Sequence, residues 1–324
     1  MLFRSPSPLG LPMAIASRTF PLAQKLGISG RKPVRSFEEV LWLTGALAYN
    51  YEQTSVEILC DILENQHIDA VYSEFSLPAI IAARLCRIPV YGSFSYTTQV
   101  SYASDPSKAV GIRKLLNKLG LPQVESSLEL FDWLDRRFVP SCRLLEPIKD
   151  EKTSFVGFLK EPPQISKTHK NCLVVYLGSG SVSQNTIEHT VRTAFKDLNL
   201  EVYVASTSKT YTESNLHFAP CFDFSELLPH AKCFIHHGGQ NSTMDALAYG
   251  VPQIIAPGRV FERIYNAESI ERAGAGLKAN RFEAKTLLDT LCQISSDRRF
   301  EEAAGILRDD LSSLGGAASI ARSL

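Results

Sequence analysis

Two short stretches of this chain end an apolar run in glycine and hydroxyl residues, a chemistry suited to holding an anion. After Cys172-Leu173-Val174-Val175-Tyr176-Leu177 comes Gly178-Ser179-Gly180-Ser181. After Cys233-Phe234-Ile235-His236 comes His237-Gly238-Gly239-Gln240-Asn241-Ser242. Glycine lets a backbone approach a ligand closely. A helix opening near Asn241 aims unpaired N–H groups and the positive end of its dipole at a pyrophosphate. His237 is expected to donate a charge-assisted hydrogen bond and the Ser242 hydroxyl a second. Asp245, one turn further in, places a carboxylate to accept from two vicinal ribose hydroxyls. A Gly-Gly turn alone is usually a tight strand–helix connection, and Asn241 or Ser242 alone would read as a helix N-cap. The ordering favours a ligand: HHGGxNS, then Gly250-Val251-Pro252, then Glu262-Arg263-x-x-Asn266-Ala267, all between Phe234 and Ala279. An anion at a helix end beside a loop for a polyol describes a grip on a nucleotide-sugar. His236, on the opposite face of its strand from His237, reads as a packing histidine.

The elements needed to position these residues follow from periodicity. Ser36 to Asn65 carries a helical stripe through Val40, Leu43, Leu47, Val56, Leu59, Ile62 and Leu63. His67–Glu74 reads as a strand, Leu77–Cys86 as a helix and Ile88–Ser93 as the next strand, which together make a βαβ unit. Helical stretches are expected around Ile112–Leu119 and Leu128–Arg137. The polar, Pro/Lys-rich passage between Arg143 and Asn171 reads as an interdomain connection, with Phe155-Val156-Gly157 as a short strand inside it. Cys172–Leu177 is uniformly apolar, as a strand buried on both faces must be. Beyond it the pattern predicts a helix from about Thr186, a strand over Leu200–Ser206, a short helix over Phe224–His230 and a strand over Cys233–His236. A helix over Asn241–Tyr249, a strand over Pro252–Ala256, a helix over Asn266–Ala273 and two closing helices within Ala284–Ser313 complete it. Such alternation specifies a doubly wound α/β fold, and in open sheets of this kind ligands bind beyond the carboxyl ends of the strands. The expected domains are 1–150 and 151–324.

Composition excludes several other classes. The chain has 324 residues, enough for two full cores, with 44% hydrophobic and 21% charged residues. Lys+Arg and Asp+Glu balance at 34 each, so the overall charge points to neither nucleic acid nor an anionic membrane. Seven cysteines are scattered without a C-x-x-C pair, which fits reduced thiols in a cytoplasmic protein and neither a disulfide framework nor a metal site. The longest apolar candidate, Leu77–Phe94, is broken by Arg84 and Arg87, so no transmembrane segment is expected.

Residues 172–320 resemble the donor-binding half of family 1 glycosyltransferases, the GT-B enzymes with two Rossmann-like domains facing a cleft. The resemblance rests on the Gly178-Ser179 turn, the H-x-G-x-N-S-x-x-D segment from His237 to Asp245 and the segment ending in Asn266-Ala267. It is nearest to the bacterial and fungal branch acting on macrolides, terpenoids, sterols and polyketides. The resemblance implies that Gly178, Ser179 and Ser181 lie near the diphosphate and that His237, Gly238, Gly239, Gln240, Asn241 and Ser242 surround its oxygens. It places Asp245 on the ribose, Glu262 at the sugar hydroxyls and Asn266 among the donor-binding residues. Arg263 stands where the family has glutamine; a guanidinium cannot accept a hydroxyl hydrogen and adds charge. Phe222-Asp223-Phe224 replaces the family's base-stacking segment, and either Phe222 or Phe224 would stack on the base or serve the core. In the first half, His67–Glu74 and Arg87-Ile88-Pro89-Val90 match the family's acceptor domain, with Glu74 where aspartate is common. The family's G-H-x-x-P segment, which carries its general base, has no counterpart here. On that comparison the acceptor-side domain is incomplete by roughly fifty residues.

The resemblance implies a metal-independent, inverting transfer of a sugar, most simply from a UDP-sugar, to a hydroxyl of a small lipophilic acceptor. No cofactor beyond that co-substrate is expected, and no catalytic residue is assigned. Two alternatives stay open: a donor-binding remnant without turnover, and an enzyme using UDP-N-acetylglucosamine.

Overall fold

The computed structural model describes residues 33–161, 163, 170–178, 182–205 and 209–324. Ser179 and Ser181 therefore lie outside the described residues. The chain divides into two compact units, one of Val34–Leu159 with Gly315–Leu324 and one of Lys160–Leu314. The last ten residues thus return to the first unit, through a Gly316 N–H that donates to Val156 O at 2.7 Å.

The first unit holds helices α1 (Phe37–Thr44) and α2 (Tyr49–Asn65), strand β1 (Val71–Ser73), α3 (Leu77–Cys86), β2 (Val90–Ser93) and α4 (Val110–Leu119). Strands β3 (Arg136–Val139) and β4 (Thr153–Phe155) complete a parallel sheet in the order β1-β2-β3-β4. The expected helix over Leu128–Arg137 is instead a 3-10 turn over Ser127–Trp133 followed by β3. A capping box between Ser126 and Glu129 starts that turn. Asp135 then accepts the Val90 N–H at 2.8 Å, and Phe138 and Val139 are taken into the core, which pulls the segment into the sheet. Two buried glutamates behave differently here. Glu38 accepts from Asp105 N–H, Ser126 Oγ, and both the N–H and Oγ of Ser127. Glu52, fully buried on α2, finds no partner for either oxygen among the described residues.

The second unit is built on β5 (Cys172–Tyr176), α5 (Gln184–Phe195), β6 (Glu201–Ala205), β7 (Tyr211–Glu213), β8 (Leu216–Ala219) and the four-residue helix α6 (Phe224–Leu227). It continues through β9 (Ala231–His236), α7 (Gln240–Ala248), β10 (Gln253–Ile255), α8 (Phe261–Arg272), β11 (Gly276–Lys278), α9 (Ala284–Ser296) and α10 (Arg299–Ser313). Its strands run in the order β11-β10-β9-β5-β6-β8-β7, all parallel except β7. The central strand β5 shows why its sequence is uniformly apolar. Leu173 and Val175 join the core beneath α5 and α9, while Cys172 and Val174 join Phe234, Ala246 and Val251 on the other face. The hairpin β7–β8 and strand β11 are additions the periodicity did not reveal, being three or four residues long with mixed polarity. Among the described residues no helix is long and apolar enough to cross a membrane.

Candidate functional site: the crevice between β5 and β9

Chain order and sheet order part company at β5. The chain leaves β5 toward β6 on one side and returns through β9 on the other. That reversal lies between β5 and β9, and beyond the carboxyl ends of strands at such a reversal is where doubly wound sheets receive ligands. The turns after both strands therefore meet. A Cβ on Gly178 (φ 63°) would lie 2.8 Å from His237 Cε1, and one on Gly239 would lie 2.8 Å from His237 Nε2. The imidazole thus lies between two glycines that only a missing side chain makes possible. The Tyr176 ring meets it edge-on, with centroids 5.8 Å apart.

Gly238 shapes the turn. Its φ of 85° is left-handed, and a methyl there would come within 2.8 Å of Ile255 Cγ2 and 2.9 Å of Arg263 O. Two side chains clamp it. Its N–H donates to His236 Nδ1 at 3.0 Å, and Asn266 Nδ2 donates to its carbonyl at 2.9 Å. Because Nδ1 of His236 accepts, Nε2 carries the proton and donates to Gln253 Oε1 at 2.8 Å. Burial, with His237 alongside, pushes the His236 pKa down to about 3, so the ring is a neutral brace, as its position on the strand suggested. Asn266, one of the expected donor-binding residues, is buried and braces the same turn.

Helix α7 begins at Gln240 with Gly239 as its N-cap and no side-chain capping bond. Neither Asn241 nor Ser242 caps it. Its first intrahelical bond runs from Thr243 N–H to Gly239 O, so the amides ahead of it have no acceptor within the helix. Gln240 is half-buried at this end, Asn241 exposed and Ser242 buried. Asp245 sits half-buried a turn later, its pKa raised by burial against the opposing pull of Lys160.

Glu262 and Arg263 belong to the first turn of α8, which starts at Phe261, five residues earlier than the periodicity indicates. Burial raises the Glu262 pKa, while Arg263 and the Gln240 backbone amide hold it back, so the carboxylate faces the start of α7. Burial lowers the Arg263 pKa, opposed by Glu262 and Tyr176. Burial first, then the neighbouring Arg263 charge, depress the His237 pKa to about 4, with the Tyr176 backbone opposing. The ring is uncharged at neutral pH, so the charge in a bond from it to a diphosphate is the phosphate's alone; its Nδ1 is buried without a partner among the described residues. Of the two aromatic candidates, Phe224 is drawn into the core, edge-on to Tyr176 at 5.5 Å and Phe234 at 5.3 Å. Phe222 is half-buried and meets Tyr203 edge-on at 5.4 Å.

In the first unit a polar cluster lies at the carboxyl ends of β1 and β2. Ser93 Oγ donates to Glu74, and Tyr72 Oη lies 2.9 Å from Ser93 Oγ. Ser93 is fully buried while Glu74 is exposed. Tyr72, inside β1, and Ser93, at the end of β2, carry no sequence signal beyond those places.

Residues 205–324 match the model of the erythromycin biosynthesis protein CIII-like C-terminal domain. The chain is 30% identical over 164 residues to aclacinomycin-T 2-deoxy-L-fucose transferase of Streptomyces galilaeus, covering 48% of this chain and 36% of that one. The chain is thus similar to family 1 glycosyltransferases. It is 25% identical over 279 residues to the NDP-glycosyltransferase YjiC of Bacillus subtilis (strain 168), covering 76% and 69% of the two chains. Its α/β units with parallel sheets have the GT-B fold, as in the spinosyn rhamnosyltransferase SpnG complexed with thymidine diphosphate. That structure has a TM-score of 0.67 at 16% identity, over 88% of this chain and 80% of the other. The chain thus spans about a third of the length of the aclacinomycin transferase.

Proposed function

We propose that this family 1 relative transfers a sugar from a nucleoside diphosphate sugar to a hydroxyl of a small lipophilic acceptor. The supporting observation is the meeting of the Gly178 and His237–Gly239 turns at the strand-order reversal, beside the start of α7. In the reaction the bond from the anomeric carbon to the phosphate oxygen breaks as a bond to the acceptor oxygen forms. The departing diphosphate takes the electron pair, and the α7 amides and the His237 N–H stabilise it. Asp245 would hold the ribose, Glu262 the sugar hydroxyls and Phe222 the base. UDP is the nucleotide the sequence suggests; the thymidine diphosphate held by SpnG makes TDP the rival.

Calorimetric titration with UDP, TDP and GDP is expected to show saturable binding of UDP or TDP. His237→Ala should weaken it at least roughly tenfold, equivalent to one lost hydrogen bond to a charged group. Unchanged affinity in that variant would count against the reading.

One observation favours the second reading, donor binding without transfer. The histidine of the first unit, His67, is exposed and precedes β1 at its amino end, away from the carboxyl edge. Donor binding with no product over many hours, across an acceptor panel, would establish that reading.

A further inference from the structure

We infer that Arg263 supplies the positive charge that meets the diphosphate of the donor, a charge that the glutamine usual at this position could not supply. The inference rests on the nucleotide-sugar reading of the same crevice. Its geometry begins with the backbone. Arg263 packs directly on the anion-facing turn, since a methyl on Gly238 would lie 2.9 Å from Arg263 O and 3.4 Å from its Cα. The guanidinium is half-buried on the first turn of α8, within electrostatic reach of Tyr176 from β5, Glu262 from its own helix and His237 after β9.

The charges at this end of the unit then need counting. His237 is neutral when the site is empty, because burial and Arg263 both resist its protonation. Glu262 brings a carboxylate toward the Gln240 amide, into the region where a phosphate would seek the same donors. Asp245 adds a second carboxylate a turn along α7, with Lys160 acting on it. A diphosphate would therefore enter a crevice holding two carboxylates and an uncharged imidazole. Helix ends contribute about half a unit charge each, too little to offset carboxylates and diphosphate together. Arg263 restores the balance. Under the influence of the Glu262 charge in the free protein, its planar fork can direct its donors to phosphate oxygens when the donor arrives.

The experiment compares calorimetric binding of the nucleoside, monophosphate and diphosphate, with uracil and with thymine as base, to the full chain and to Arg263→Gln and Arg263→Lys. Arg263→Gln is expected to lose roughly tenfold or more in diphosphate affinity, one charge-assisted contact, while nucleoside affinity stays within about twofold. Arg263→Lys should recover most of the diphosphate affinity. Arg263→Met takes the place of the glutamine variant if that one fails to fold. Equal diphosphate binding by the neutral variant and the native chain overturns the inference alone, as does an equal loss for nucleoside and diphosphate. Failure of the native chain to bind any diphosphate overturns both the inference and the functional reading beneath it.

Discussion

Replacing Gly238 with alanine is expected to abolish nucleoside diphosphate binding, the largest functional loss available from one methyl group. The backbone at this position has φ of 85°, and forcing a side chain into that conformation costs about 1–3 kcal/mol. The methyl also meets Ile255 Cγ2 at 2.8 Å and the Arg263 carbonyl oxygen at 2.9 Å. Ile255 is fully buried in the sheet and the carbonyl belongs to helix backbone, so neither can yield cheaply. The turn must shift instead. A shift breaks the bonds from Gly238 N–H to His236 and from Asn266 to the Gly238 carbonyl, and these bonds set the direction of the α7 amides. Loss of UDP- and TDP-induced thermal stabilisation, with a lowered unfolding temperature for the free protein, is the expected result. Alanine binding either nucleotide within threefold of the native chain would show that this turn does not form the anion site.

The second large effect is on stability. Glu52 is fully buried with neither oxygen partnered among the described residues, and burial pushes its pKa up to about 8. The sign follows from linkage. In the unfolded chain this carboxyl ionises near pH 4.5, whereas in the folded chain it keeps its proton until about pH 8. Between these values the folded state binds the extra proton, so the glutamate's contribution is most favourable below the lower pKa and is lost as pH rises through the upper one. By pH 8 the cost is roughly 4 kcal/mol. Glu52→Leu should remove that dependence and raise the unfolding temperature of the first unit by on the order of 10 °C at pH 8, with little change near pH 4. Glu52→Gln should flatten the pH profile too but gain less, since a buried amide still lacks partners. Thermal denaturation from pH 4 to 9 checks both, and an unchanged pH profile in Glu52→Leu would mean the carboxyl is not the source. The depressed His236 and His237 act in the opposite sense. Their contribution is complete above about pH 6.5 and fades as pH falls toward 4 and 3, partly offset by the raised Asp245 and Glu262.

What could be read from the residues alone was whatever is local. The apolar run Cys172–Leu177 had to be a strand covered on both faces, because no polar side chain breaks it and period-two alternation is absent. Helix α3 ends where expected at Cys86, since Arg87 takes a left-handed C-cap and Pro89 follows. The Gly-Gly turn ahead of a helix was legible because glycine takes a positive φ, as Gly238 does, without the steric cost other residues meet there. Tertiary structure alone decided three things. The order β9-β5-β6 put the two glycine turns side by side, a choice made by sheet pairing between residues about 60 apart in the chain. Helix α8 began early enough to take Glu262 and Arg263 onto its first turn, because Phe261 and Tyr265 bury their rings ahead of the expected start. Charge at the site was decided last: burial and Arg263 together leave His237 neutral, and desolvation depends on neighbours that no spacing of residues displays.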